Sequence, residues 1–343
     1  QRVLVTERPF EEKIAFFWHN HFATSDAKVR DYRKMAIQIQ LFRKYGVGNF
    51  RDLVLSVAQD PAMLVFLDAG QNIKGNPNEN FAREILELFT LGIGNYSEND
   101  IREAARAFTG WSNESLKFVI NKDLHDQNDK TFLGQTGNFD GNDIIDIVMQ
   151  QDSTAQFIVE KLYRYFVAAD SSPQRIKELA LLFRENNYEL QPLLKSMFIA
   201  RDFYAAHAYG TKIKSPVDLV LSTYRKLGVK SLPGVPDFHE TTSSLGQKLL
   251  YPPNVAGWEG GRTWITPATL VERGNFAREV LFPSLEEFVP PDRTLTQVYK
   301  DVGEKLNVGK DITSATVAGS NDKKDMNMMS SADMMVAVSD EEF

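Results

Sequence analysis

Apolar residues recur at helical spacing along almost the whole chain. Ile14, Phe17, Trp18 and His21 fall at i, i+3, i+4 and i+7, one face of a helix over roughly residues 8–22. Ala15 and Phe16 widen that face, which predicts a helix buried on most sides. Further amphipathic runs lie at about 27–45, 49–58, 78–91, 98–109, 140–150, 153–168, 173–186, 190–200, 214–227 and 266–282. Strand signals are short. The best joins Leu116–Asn121 to Lys130–Leu133 across a polar turn, one small hairpin. The pattern specifies an all-α fold, an irregular multi-helix bundle with one small β-hairpin, and shows no fixed repeat that would make a solenoid.

Two segments break the helical pattern. Residues 229–264 form a long Pro/Gly/Trp loop ending in Tyr251-Pro-Pro-Asn-Val-Ala-Gly-Trp258-Glu-Gly-Gly-Arg262-Thr-Trp264. Residues 308–343 are polar and carry five methionines between Met326 and Met335. The expected organisation is one helical domain over 1–290. A Met-rich C-terminal extension over 291–343 follows, weakly ordered or ordered by a partner. The chain starts at Gln1 with neither a charged n-region nor an apolar h-region, as expected of a processed or trimmed form.

Composition removes several functions. A net charge of −7 argues against a nucleic-acid binder, which carries a basic footprint. Nothing approaches 18 consecutive apolar residues, so no membrane span is expected. With no cysteine, iron–sulfur ligation and thiolate chemistry are excluded. No Gly-rich nucleotide or flavin fingerprint, Walker loop, HExxH or GxSxG is present.

The chemistry-bearing stretch is Asn76–Trp111. Asn76, Pro77 and Glu79 read as a helix start. Behind it Ala82, Ile85, Leu86 and Phe89 form an apolar stripe, and Arg83 and Glu87 pair at i, i+4 on the polar side. Ser97 and Asp100 read as a second capping box, followed by Glu103 and Arg106 off the stripe, with Gly110 as the C-terminal cap. Two such helices pack antiparallel. Their charges form either a buried Arg/Glu network able to bind an anion or a solvated face.

His19 and His21 point ~200° apart on a helix and cannot share one metal. His21 is a core histidine on one reading, a general base or single metal ligand on the other. His125 and Asp126, with Lys130 four residues on, form either a proton-transfer loop or a polar turn. Trp258, Arg262 and Trp264 offer a sugar-stacking platform or a packed loop. His207 and His239 read as surface residues.

Taken in order, Trp18-His-Asn-His-Phe22, Asn78-Glu-Asn-Phe-Ala-Arg-Glu84, Glu103-Ala-Ala-Arg-Ala-Phe-Thr-Gly-Trp111, His125-Asp126 with Lys130–Gly134, Lys214-Ser-Pro-Val-Asp218 and the Pro252–Trp264 loop with Asn275-Phe276 resemble the bacterial Domain of Unknown Function 1800 family. The likeness spans roughly residues 8–283, and the tail beyond about 290 departs from it. The resemblance implies a periplasmic or extracellular protein that works on an envelope polysaccharide beside an exported sulfatase-like partner, and it supplies no reaction.

It also implies that the polar motifs converge in one pocket. In the enzyme reading, a hydrolase or lyase on an anionic glycan, the catalytic set is His21, Glu84, Glu103, His125 and Asp126. Arg83, Glu87, Arg106, Lys130, Trp258 and Arg262 then bind substrate. The alternative is a non-catalytic glycan- or protein-binding component in which the Arg/Glu network is structural. A divalent metal held by His21, His125, Asp126 and a glutamate stays open as the cofactor.

Overall fold

The computed structural model describes residues 1–234 and 236–282, so the expected extension over 291–343 lies outside the described residues. Helices dominate, and the residues divide into two compact units. The larger is Arg8–Lys212 with Leu250–Glu259; the smaller holds Gln1–Glu7, Ile213–Leu249 and the residues from Gly260.

The larger unit is built around the helix Pro9–His21. Pro9 supplies its first turn, Glu11 and Glu12 sit at its positive end, and His19 and His21 lie at its negative end. Trp18 is fully buried, and its Nε1 donates to Gly46 O at 2.8 Å. Phe22, Phe42, Phe50 and Phe89 join it in one core that extends through the helices Asp152–Phe166, Pro173–Glu185 and Leu190–Phe198. Burying each such phenylalanine ring contributes roughly 3 kcal/mol.

Asp31, Asn49 and Asp60 cap the helices Tyr32–Tyr45, Phe50–Ala58 and Pro61–Phe66 through backbone N–H groups. Asp60 does so from inside the core. Its Oδ2 accepts from Met63 N (3.0 Å) and Gln38 Nε2 (2.8 Å), and Gln38 Nε2 also donates to Thr24 Oγ1 (3.0 Å). Asp60 Oδ1 and Gln38 Oε1 are buried without a partner. Burial outweighs the hydrogen bonds from Met63, Gln38 and Ala62 and pushes the Asp60 carboxyl up to about 7.

Most helical runs fall where the periodicity puts them, and the segment before Trp111 differs in three ways. Asn76 does not open a helix: it bridges to Ile73, and Asn78 N donates to Asn72 Oδ1 (3.0 Å), which holds the chain in a turn. The helix starts at Asn80, whose N–H is taken by Asn78 Oδ1 (3.0 Å). It is α-helical only over Asn80–Glu84 and becomes a π-helix over Ile85–Thr90. The capping box of Ser97 and Asp100 opens the helix Glu98–Ala107 as the spacing predicts.

Two hairpins follow instead of one. Trp111–Glu114 pairs with Lys117–Ile120, and Lys130–Phe132 with Gln135–Gly137. The two predicted strands therefore each take their nearest neighbour through a tight turn, at Ser115 (φ 55°) and at Leu133-Gly134 (φ 46° and 80°). Gly110 is required where it stands: at φ 78°, a Cβ there would lie 2.4 Å from Asn121 O.

The smaller unit joins Arg2–Val5, Pro216–Lys226, Phe238–Ser244 and Pro267–Leu281. Arg225 Nη1 donates to Val3 O (2.9 Å), and Tyr224 packs edge-on against Phe276.

Candidate functional site

The residues singled out by sequence fall into separate groups. The first lies at the α-to-π junction. Arg83 does not pair with Glu87. It forms a two-pronged bond to Glu98 (2.9 and 2.8 Å) and reaches Glu79 at 3.5 Å. The π turn begins at Ile85 and rotates Glu87 away from the i, i+4 position, so its Oε2 accepts from Tyr96 Oη at 2.6 Å instead.

Glu84 is half-buried at the last α position. Among the described residues it has no hydrogen bond and no ion pair. Burial, with the charge of Glu87 added, pushes its carboxyl up to about 6 against the pull of Arg83. Burial and the same Glu87 carboxylate push the Tyr96 hydroxyl well above its ordinary value, so it stays a donor.

A second group knits the helix Glu98–Ala107 to the following loop. Arg106 Nε donates to Asp126 Oδ2 (2.8 Å), and its Nη1 spans both oxygens of Glu103 (3.0 and 2.9 Å). Glu103 Oε2 also accepts from Thr131 N (2.9 Å), and Asp100 Oδ1 from Leu133 N (2.8 Å). Asp126 Oδ1 takes two N–H groups of Asn128, both at 2.9 Å. Burial works to raise Asp126, but the bonds from Arg106 and Asn128 hold it below the usual carboxylate range.

Lys130 is 1% exposed and donates to Asp126 O (2.6 Å) and Asn138 Oδ1 (3.4 Å). Burial pulls its ammonium below the ordinary value. His125 Nδ1 donates to Thr109 O at 2.9 Å. Each of these groups is spent on holding the loop.

His21 belongs to neither group. It is 4% exposed, its Nε2–H donates to Phe89 O (3.0 Å), and its Nδ1 accepts from Lys161 Nζ (3.2 Å). Burial, with the Lys161 charge added, holds it well below 6.5, so the ring is neutral. Lys161 also donates to Leu88 O (3.2 Å) and lies over the Phe157 ring. Burial brings it down to about 8. Sequence reasoning passed over both Lys161 and Tyr96. Lys161 stands four residues after Phe157 on an amphipathic helix, and nothing local marks a contact 140 residues away.

His19 points elsewhere, as the ~200° separation requires. Its Nε2 accepts from Leu250 N (3.3 Å), Trp258 packs edge-on against its ring, and its Nδ1 is buried without a partner. Trp258 is 7% exposed and its backbone N–H is taken by Asn20 Oδ1 (2.7 Å), so its face is not offered to a ligand. Arg262 and Trp264 belong to the smaller unit, Arg262 exposed and Trp264 buried.

Among the described residues no three His, Asp or Glu side chains gather where they could hold a metal ion, so His21, His125, Asp126 and a glutamate do not form a ligand set. No described helix is long and apolar enough to cross a membrane. A cleft of about 510 Å³ lies away from all these groups, lined by Tyr163, Arg175, Asp202 and His207 among others. Its Asp202 carboxylate is already bonded to Tyr163 (3.0 Å) and Arg175 (3.1 Å).

The sequence matches the family model described as "Protein of unknown function (DUF1800)" over residues 1–339. No curated protein and no solved structure matches it.

Proposed function

Since the chain belongs to the DUF1800 family, whose description carries no reaction, we propose a function from its carboxylates: an acid–base enzyme, a hydrolase or lyase of an envelope polysaccharide, with Glu84 as the proton-transfer group. The observation that carries this reading is the contrast at the α-to-π junction. Glu79, Glu87, Glu98, Glu103 and Asp126 are all held by protein donors, whereas Glu84 is half-buried, unpartnered and raised to about 6. A proton-transfer group works best with a pKa near the working pH and a free oxygen aimed at substrate. The polysaccharide, the exported location and the sulfatase-like partner are part of this proposal and rest on the family resemblance.

An anionic glycan fits this junction poorly. Arg83 and Arg106 would have to abandon carboxylates to hold a uronate or sulfate, and the junction around Glu84 is itself rich in acid. The fitting substrate presents neutral sugar hydroxyls there.

The test is a panel of neutral and acidic polysaccharides, read by new reducing ends for hydrolysis and by ultraviolet absorbance of a new C=C bond for elimination. The rate on a substrate that is turned over should inflect near pH 6, falling above it if Glu84 is the acid and below it if Glu84 is the base. A profile flat across pH 5–7 would sink the assignment.

The Glu103–Arg106–Asp126 network favours a structural role in the same molecule. Removing Arg106 leaves two largely buried carboxylates without their shared cation, a cost of about 3 kcal/mol once their partial exposure is allowed for. Arg106→Ala is therefore expected to lower the melting temperature by roughly 10 °C, measured by calorimetry at pH 7. An unchanged melting temperature together with lost turnover would instead make Arg106 a substrate ligand.

A further inference from the structure

A helix that ends in a π turn leaves carbonyls without partners inside the ladder. In Ile85–Thr90 four carbonyls are met by specific donors. Thr90 Oγ1 donates to Ile85 O (2.6 Å) and Leu91 N to Leu86 O (2.8 Å), the five-residue spacing of the π pattern. Two further carbonyls are met from distant parts of the chain: Leu88 O by Lys161 Nζ and Phe89 O by His21 Nε2.

The two donors are also bonded to each other, through Lys161 Nζ and His21 Nδ1. That bond fixes the neutral tautomer of His21 so that its proton faces Phe89 O. Lys161 has no carboxylate partner among the described residues. Its positive charge sits at a helix C-terminus, where the peptide dipoles favour it.

We infer that His21 and Lys161 are positioning residues for the carboxylate site, a bonded pair that holds the π turn open and thereby fixes Glu84 and Glu87 on its rim. The inference rests on the reading of Glu84 given above, and its logic is geometric. A π turn carries about one extra residue, so its collapse to α-geometry rotates Glu87 relative to Glu84 and breaks the reach of Glu87 to Tyr96. Neither His21 nor Lys161 touches substrate in this account. It also explains why a histidine that looks like a catalytic base is buried and neutral.

The experiment substitutes Lys161→Met, an apolar chain of similar length that leaves Leu88 O and His21 Nδ1 without their donor, and it is expected to lower the melting temperature by a few degrees in a protein that still folds. Two readouts need no turnover: hydrogen exchange of the Leu91 amide, and the titration of Glu84 followed by carboxyl-carbon NMR. Lys161→Met should speed exchange at Leu91 at least tenfold and move the Glu84 midpoint down by half a unit or more as water reaches the loosened turn. Lys161→Arg, which keeps donors and charge, should restore both.

A folded Lys161→Met protein with unaltered exchange and an unaltered midpoint overturns the proposal. Should Lys161→Met not fold, Lys161→Gln, with one donor left for Leu88 O, is read in the same way. Failure of the enzyme reading shows separately, as no polysaccharide turned over by a protein whose π turn responds as described.

Discussion

Glu84→Gln is expected to lower turnover of any polysaccharide the protein cleaves by about 10²–10⁴-fold, the usual contribution of a positioned acid or base. The melting temperature should hardly move. Glutamine keeps the shape of the side chain and loses the ionisable proton and the charge, and Glu84 spends no hydrogen bond on the fold. Its removal also relieves the crowding of charge with Glu87 that helps to raise it. The variant thus separates chemistry from stability, whereas Arg106→Ala acts on stability first. Full activity in Glu84→Gln would remove the residue from the mechanism, and a fall of several degrees in melting would show that it supports the fold.

Asp60→Asn should stabilise the protein at pH 8 and flatten one component of its pH dependence. The folded pKa of about 7 stands above the unfolded 3.8, so the native state binds the extra proton between those values. Its stabilising effect is complete below pH 3.8 and is lost as the pH rises through 7. Three units correspond to roughly 4 kcal/mol, an upper figure for a group this buried.

Asparagine mimics the protonated acid. Its carbonyl can still cap Met63 N, and its amide can donate to Gln38 Oε1, one of the two acceptors left unpartnered beside Asp60. Lys34 is the charged neighbour whose field favours the ionised form, and it is the same in both proteins. Buried His19 and His21 impose the opposite slope below pH 6.5. The measurement is therefore the difference in urea unfolding free energy between the two proteins at pH 5, 6, 7 and 8. A difference that does not grow from pH 5 to 7 contradicts a protonated Asp60.

Helix positions were legible because they depend on local period and on caps such as Ser97-Asp100, which act within one turn of the chain. The π turn was not, because Ala82, Ile85, Leu86 and Phe89 satisfy an α stripe equally well. What widens the turn is a pair of donors from residues 21 and 161. The same cause misplaced Glu87: its partner at i−4 was replaced by Tyr96, a choice set by tertiary geometry.

Charged motifs picked out residues that meet at the junction and in the loop clamp, but spacing carries no information on which carboxylates are already satisfied. Burial of Trp258 likewise follows from Asn20 and His19, which lie some 240 positions away in the chain.

That last contact bears on how the molecule is made. Gly257, at φ 82°, lets the returning segment approach so closely that a Cβ would lie 2.3 Å from Asn20 O. Leu250, in the left-handed region at φ 66°, brings its backbone to His19 and to Asp26 N, which donates to Leu250 O at 2.9 Å. The first long helix is thus completed by the last ten residues of its own unit. At ~5–20 residues per second of synthesis, those residues arrive more than ten seconds after the helix they cover. During that interval His19 and Asn20 lack the partners that cover them, and a chain halted before Leu250 leaves this end of the helix unfinished. Closure of this long-range seam, not formation of the helices, should set the pace of maturation.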